Sequence, residues 1–371
     1  MNKNEKAVLD LIKADPYISQ KELGQKLNLT RSTIASIISS LNKKNIILGR
    51  GYILSDFSSG VVCIGGMNVD RKYYFKGDLI FETSNPARSE AFVGGVGRNV
   101  CENLGRLGFV PYILSVAAND FDFDLIKNQS GSFVNFDYVS TFANAKTGSY
   151  SALLDKNGDL ILALADMDIY EHMTVEWIRS YEEVLKNSQL IILDLNTPKD
   201  VVSYVIEFSR TNEIDLVVIT VSSPKMERLP ENLKGLSFLI TNEDESAAYF
   251  SEDIKTEEDF LLLADKWIAK GLDNVIVTRS TKSCLYQNKD GERMLFKPPL
   301  ADKVLDVTGA GDSFSAGIIY GLLMDYDMKK TIELALTNAY ETVQVPETVR
   351  KNLTDKVLEE ERKKLIEKGL L

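Results

Sequence analysis

One run constrains this chain more than any other: Asp306-Val307-Thr308-Gly309-Ala310-Gly311-Asp312-Ser313-Phe314-Ser315-Ala316-Gly317, a small-residue turn that opens an amphipathic segment and sets a carboxylate at its mouth. Gly309 and Gly311 let the backbone bend without Cβ clashes, and the first turn of the following helix leaves N–H groups unpaired, so dipole and donors together can hold an anion. Gly309, Ala310 and Gly311 are the candidate anion-binding residues, and Asp312 is the candidate general base. Phosphoryl transfer needs charge neutralisation on the donor and a group to take the proton of the acceptor hydroxyl, and this turn offers both. The alternative is a glycine loop that merely caps a core helix.

A second glycine cluster, Gly94-Gly95-Val96-Gly97-Arg98-Asn99, again precedes a helical pattern. Two such clusters suggest two halves of one site. In this order, with the second reading DVTGAGDSF, they resemble the two signatures of the ribokinase-like (PfkB) carbohydrate kinase family, over roughly residues 60 to 345. The resemblance implies an α/β fold: a doubly wound, mainly parallel sheet with a small β lid.

Composition agrees with an enzyme carrying an appendage. At 371 residues the chain exceeds one typical domain, and 44% hydrophobic residues allow a substantial core. No apolar run approaches the ~20 residues needed to cross a bilayer, and the N-terminus lacks the apolar core of a signal peptide, so a cytoplasmic protein is expected. Cys63, Cys101 and Cys284 are widely spaced, which gives neither a disulfide framework nor metal-ligand spacing. The sole histidine, His172, cannot build a multi-histidine metal site, and a surface or hinge role is expected for it.

The net charge of −11 hides an asymmetry: residues 1–56 hold nine Lys and Arg against five Asp and Glu, so the remainder carries −15. In the first part Ala7, Val8, Leu11 and Ile12 form one helical stripe, Ser19 to Glu22 matches a capping box that starts a second helix, and Thr30 starts a third. Ile46 to Leu48 and Tyr52 to Leu54 flank Gly49-Arg50-Gly51, which reads as a hairpin with a basic tip. Three helices and a hairpin resemble the winged helix-turn-helix modules of bacterial repressors, whose third helix enters the major groove of double-stranded DNA. That resemblance puts Arg31, Ser32 and Thr33 at the groove and Lys43, Lys44 and Arg50 near phosphates; the alternative is a helical module used only for dimer contacts. The expected organisation is a winged domain over 1–56, a linker over 57–60 and a kinase domain over 61–371. A homodimer is expected, since doubling would also raise the modest charge available for DNA.

Val61 to Gly66 reads as a short buried strand that ends in Asn68 and Asp70, with Asp70 at the carboxyl edge where open α/β sheets bind ligands. By the family resemblance Asp70 binds acceptor hydroxyls, Gly94 and Gly95 admit the sugar close to the backbone, and Asn99 adds a hydrogen bond. Lys72 to Phe75, Gly148 to Leu154 and Leu160 to Leu164, with the Asn157-Gly158 turn, read as the lid. Strand-like runs at Leu190, Leu216, Phe238 and Val275 alternate with helical ones. Asn242-Glu243-Asp244-Glu245 matches the family's NxxE element, which implies magnesium organised through Glu245, by way of water, with Asn242 at the nucleotide. Thr278, Thr308 and Asn338 are the other expected ATP contacts, and a monovalent cation such as potassium is a further expectation.

For the acceptor, Ser84-Asn85-Pro86-Ala87 leading to GGVGRN, Asp166-Met167-Asp168-Ile169, and Asp194-Leu195-Asn196 are similar to segments of pseudouridine kinases. This implies a kinase acting on the 5′-hydroxyl of pseudouridine, with Asp166 and Asn196 at the substrate. Another nucleoside, a ribose-like sugar, or a sensing regulator built on a kinase fold are the alternatives. The chain departs from the family at Thr278-Arg279-Ser280-Thr281-Lys282-Ser283, which lacks the two glycines of TxGxxG, at Thr220-Val221, which lacks Asp-Pro, and at Ala117-Ala118, where a glycine is usual.

Overall fold

A computed structural model describes residues 3–15, 17–43, 46–47 and 60–371. The chain divides into two compact units, Met1–Gly60 and Val61–Leu371.

In the first unit, helices Lys3–Ala14, Gln20–Leu27 and Arg31–Lys43 enclose a core of Val8, Ile12, Ile18, Leu23, Ile34, Ile37, Ile38, Leu41 and Ile47. Period-3.6 spacing of these residues gives each helix one apolar face. The capping box is present: Ser19 Oγ accepts from the Glu22 N–H at 3.2 Å while Glu22 Oε2 accepts from the Ser19 N–H at 2.9 Å. Thr30 Oγ1 accepts from the Thr33 N–H at 3.2 Å, which starts the third helix at Arg31. Beyond Ile46 and Ile47, the hairpin expected up to Leu54 lies outside the described residues.

The second unit is built on a nine-stranded sheet. Its spatial order is Arg293–Phe296, Ser283–Asn288, Asn274–Arg279, Phe238–Asn242, Asp215–Ile219, Leu190–Asp194, Val61–Ile64, Tyr112–Ala118 and Val139–Phe142. Ser283–Asn288 pairs antiparallel with both of its neighbours, and the seven strands from Asn274–Arg279 to Val139–Phe142 pair parallel. Strands buried on both faces read as unbroken apolar runs, and alternate residues feed different cores. Val61 and Cys63 pack beneath the helices that begin at Val96, Ala310 and Met328; Val62 and Ile64 pack with the helices that begin at Lys199 and Glu257.

A four-stranded sheet, Ala87–Gly94, Asn68–Phe75, Ser149–Leu154 and Leu160–Asp166, forms the lid. Two expectations change here. The first strand ends at Ile64, and Asn68 and Asp70 open the next strand, which pairs in the lid with the segment ending at Gly94. The lid also holds a strand, Ala87–Gly94, that its exposed, polar sequence did not announce.

Candidate active site

The anion turn has the expected shape. Gly309 sits at φ 85°, in the left-handed region, as the residue before the helix Ala310–Leu323, and a Cβ there would collide with the Thr348 carbonyl, so only glycine fits. The donor set differs from expectation: the Ala310 N–H is spent on the Val307 carbonyl at 3.2 Å inside the turn. Among the described residues the N–H groups of Gly309, Gly311 and Asp312 have no backbone partner, so these are the donors left for an anion.

Asp312 lies in the first turn of that helix, where its Oδ2 accepts from Asn99 Nδ2 at 2.6 Å. The two glycine clusters, far apart in sequence, therefore meet at this hydrogen bond. Burial pushes the Asp312 carboxyl up to about 6, against the hydrogen bond from Asn99 and the charge of Arg98; Asp194 and Asp70 raise it further. A carboxylate in that range is ionised at neutral pH yet basic enough to take a proton from an alcohol in the transition state.

On the lid side, Asn68 Nδ2 donates to Asp70 Oδ1 at 2.5 Å, and Asp70 Oδ2 lies so close to Gly94 that a Cβ there would overlap it. Gly95, at φ 95°, precedes the helix Val96–Arg106. A Cβ at Gly66 would meet Asn196 Nδ2 at 2.6 Å and Tyr170 Oη at 3.0 Å, so these groups flank the end of the first strand. Asn68, Asp70, Gly94, Asn196 and Tyr170 thus gather carboxylate, amide and hydroxyl groups, the kinds that sort a polyhydroxylated acceptor. Asp166 is not among them: it ends the outer lid strand, exposed, opposite Ser149.

A cavity of about 430 Å³ adjoins Asp312 on the other side. Gly311, Asn242, Glu245 and Thr278 line it with Ile219, Val221, Leu336, Ala339 and Tyr340, apolar walls suited to a flat aromatic ring. Ser280 and Ser283, at the two glycine positions of TxGxxG, line it together with Thr281. Ser280 takes φ 48°, so the left-handed turn survives without glycine, and Ser283 Oγ is buried with no hydrogen-bond partner among the described residues.

Glu245 is more occupied than its motif suggests. Its Oε2 accepts from the Asn242 N–H at 3.0 Å and from the Thr220 hydroxyl, completing a capping box with Asn242. Two expected contacts are not among the residues that line the cavity. Thr308 is exposed and bonds Asp306 Oδ1 through its N–H and hydroxyl at 2.9 and 2.7 Å. Asn338 is fully buried: its Nδ2 reaches the Ser313 carbonyl at 2.8 Å and Asn103 Oδ1 at 3.1 Å, while Arg350 Nε reaches its Oδ1 at 3.1 Å, so it ties helices together.

Sequence reasoning missed the role of Asp194. Buried at the end of its strand, it accepts from the N–H groups of Gly66 at 2.8 Å and Gly97 at 2.7 Å through Oδ2, and of Asn196 at 2.7 Å through Oδ1, which pins both glycine segments to the sheet. A carboxylate closing the apolar run Leu190 to Leu193 was the available signal. Lys225, which donates to Asn196 Oδ1, was likewise missed.

In the first unit Arg31 and Ser32 are exposed at the start of the third helix and Thr33 is half-buried. Lys43 ends that helix, but its side chain, like the whole of Lys44 and Arg50, lies outside the described residues.

The sheet, the lid and the paired glycine clusters define a nucleotide-dependent small-molecule phosphotransferase, and residues 58–355 match the pfkB family of carbohydrate kinases, to which the chain belongs. Residues 1–47 match a winged helix-turn-helix DNA-binding family. The chain is 27% identical over 340 residues to YeiI, an uncharacterised sugar kinase of Escherichia coli K12, covering 91% of this chain and 93% of that one, more than residues 61–371 alone can supply. It is 28% identical to the pseudouridine kinase of the same organism, over 70% of this chain and 82% of that one. Among solved structures, Arabidopsis thaliana ribokinase complexed with ribose and ATP superimposes with a TM-score of 0.72 at 18% identity, covering 82% of this chain and 98% of that one, which is a likeness of fold.

Proposed function

We propose that the second unit transfers the γ-phosphate of ATP to the 5′-hydroxyl of pseudouridine, and that the first unit binds double-stranded DNA, so that a cytoplasmic, homodimeric protein couples a nucleoside kinase to transcription. The observation that carries the kinase reading is the meeting of Asp312 and Asn99 at an apolar cavity, with the lid carboxylate Asp70 close enough to act on the Asp312 carboxyl. Pseudouridine as acceptor is supported by the GGVGRN and DMDI segments and by the 28% identity to a pseudouridine kinase.

In this reading the adenine lies in the cavity, where Ser283 Oγ offers a hydrogen bond that the protein itself does not use. The N–H groups of Gly309, Gly311 and Asp312 bind the phosphoryl oxygens as charge develops. Asp70, Asn68, Gly94, Gly95 and Asn196 hold the acceptor so that its hydroxyl faces Asp312. Asp312 takes the hydroxyl proton while the oxygen bonds to phosphorus and the bond to the ADP oxygen breaks.

Among the described residues no group of three or more His, Cys, Asp or Glu is arranged to hold a metal. Magnesium, which keeps most of its waters and leans on nucleotide phosphates, would find Glu245 and Asn242 at the cavity wall to accept from those waters. Bound there, magnesium supplies charge neutralisation of the phosphates.

DNA binding is supported by the winged helix-turn-helix match over 1–47 and by Arg31 and Ser32 standing exposed at the start of the third helix. The test of the kinase is ATP-dependent phosphorylation across pseudouridine, uridine, other nucleosides, ribose and fructose. Turnover confined to free sugars would reject the nucleoside.

A further inference from the structure

We propose that Arg98 is a positioning residue for the base: its buried guanidinium fixes the Asn99 side-chain amide with the oxygen toward itself and the nitrogen toward Asp312, so that the carboxylate is aimed at the acceptor. The inference rests on Asp312 as base and assigns a role to a fully buried side chain that does not line the cavity.

The argument is one of donors and acceptors. A guanidinium only donates and a carboxylate only accepts, so an amide wedged between them has one satisfactory orientation. Asn99 occupies that place. Its Oδ1 accepts from Arg98 Nη2 and its Nδ2 donates to Asp312 Oδ2 at 2.6 Å. Rotating the amide by half a turn would set two donors against each other on one side and two acceptors on the other.

Arg98 is itself immobilised. It is 1% exposed, and its Nη1 pairs with Glu102 Oε2 at 2.6 Å, its Nε with the Gly94 carbonyl at 3.3 Å and its Nη2 with the Val93 carbonyl. Glu102 is held in turn by Arg106 at 2.7 Å and Ser130 at 3.0 Å, so the cation stands in a braced network. Asn103 Nδ2 reaches the Asn99 carbonyl at 2.9 Å and fixes the backbone of the same helical turn.

The charges around Asp312 oppose one another. Arg98 favours its ionised form, whereas Asp194 and Asp70, from the sheet edge and the lid, disfavour it, and burial disfavours it most. Arg98 and the amide it orients are what keep the carboxylate usable near neutral pH. At this position alanine would offer neither the charge nor the orientation.

The test is a direct titration of the full chain with ¹³C-labelled aspartate carboxyls, the Asp312 signal being assigned by its loss in Asp312→Asn. Arg98→Met is expected to raise the Asp312 midpoint by about one pH unit. The acidic limb of kcat with pseudouridine and MgATP should rise with it, a loss of about fivefold at pH 6, while the acceptor KM changes less than about threefold. Arg98→Lys should restore part of the shift. Asn99→Leu, which keeps Arg98 and removes the amide, should also raise the midpoint, and it tests the relay if Arg98→Met does not fold. An unmoved midpoint in either folded variant, or a loss of kcat uniform across pH, overturns the proposal. Because titration needs no turnover, a wild-type chain that phosphorylates nothing would refute the kinase reading separately.

Discussion

Lys72 and Asp306, far apart in sequence, form an ion pair with Nζ 2.8 Å from Oδ2, which joins the lid to the segment leading into the anion turn. Although burial would raise it, the ammonium of Lys72 and the Thr308 donors hold the Asp306 carboxyl below the usual range. Both side chains are about a quarter exposed, so the pair contributes little to stability, under ~1 kcal/mol. Its consequence is alignment of the lid with the turn. Lys72→Met is expected to leave folding intact and to raise acceptor-independent ATP hydrolysis about threefold relative to acceptor phosphorylation, because a loosened lid admits water. An unchanged ratio would show that the pair does not govern closure.

The raised carboxyl of Asp312 has a thermodynamic counterpart. Its folded-state value of about 6 lies above that of an unfolded aspartate, so the native state binds the proton more tightly. Ionised Asp312 therefore costs the native state about 1–3 kcal/mol above pH 6, and that cost fades as pH falls toward 4. Asp312→Asn is expected to raise Tm at pH 7.5 and to confer no gain at pH 4. A Tm difference independent of pH would contradict this.

Gly94 tests the acceptor pocket. A methyl there overlaps Asp70 Oδ2, so Gly94→Ala must displace the carboxylate. The acceptor KM should rise about tenfold or more while ATP affinity, measured calorimetrically, stays within about twofold. Equal losses on both ligands would place Gly94 in general packing.

How far was this legible in the sequence? The glycine turn at Gly309 leading into a helix, the strand runs and the Ser19–Glu22 capping box were, because glycine spacing, apolar runs and caps are local. The strand Ala87–Gly94 was not: Ala87, Arg88 and Ser89 are exposed and Glu90 is half-buried, and its pairing with Asn68–Phe75 gives no apolar alternation to read. The clamp of Asp194 on Gly66 and Gly97 and the bond of Asn99 to Asp312 join segments remote in sequence, and no local pattern reports such a contact. Asn338 is the opposite case. A helical asparagine near the cavity looks like a ligand contact, yet its amide is consumed by Ser313, Asn103 and Arg350.

The first unit has its own core, and the second has its sheet and candidate site within residues 61–371. Deleting residues 1–56 is expected to leave kcat and KM within about twofold and to abolish DNA binding. In the intact chain, affinity for double-stranded DNA should fall steeply with salt, as phosphate contacts require. Loss of catalysis on truncation would refute independent units.

The most direct test is ATP-dependent phosphorylation by the purified full chain, with magnesium, across pseudouridine, uridine, other nucleosides, ribose and fructose, run beside Asp312→Asn. The account predicts preference for pseudouridine and at least ~100-fold slower turnover in the variant with acceptor binding retained. Near-normal turnover by Asp312→Asn, or no phosphorylation of any acceptor by the wild-type chain, would contradict it.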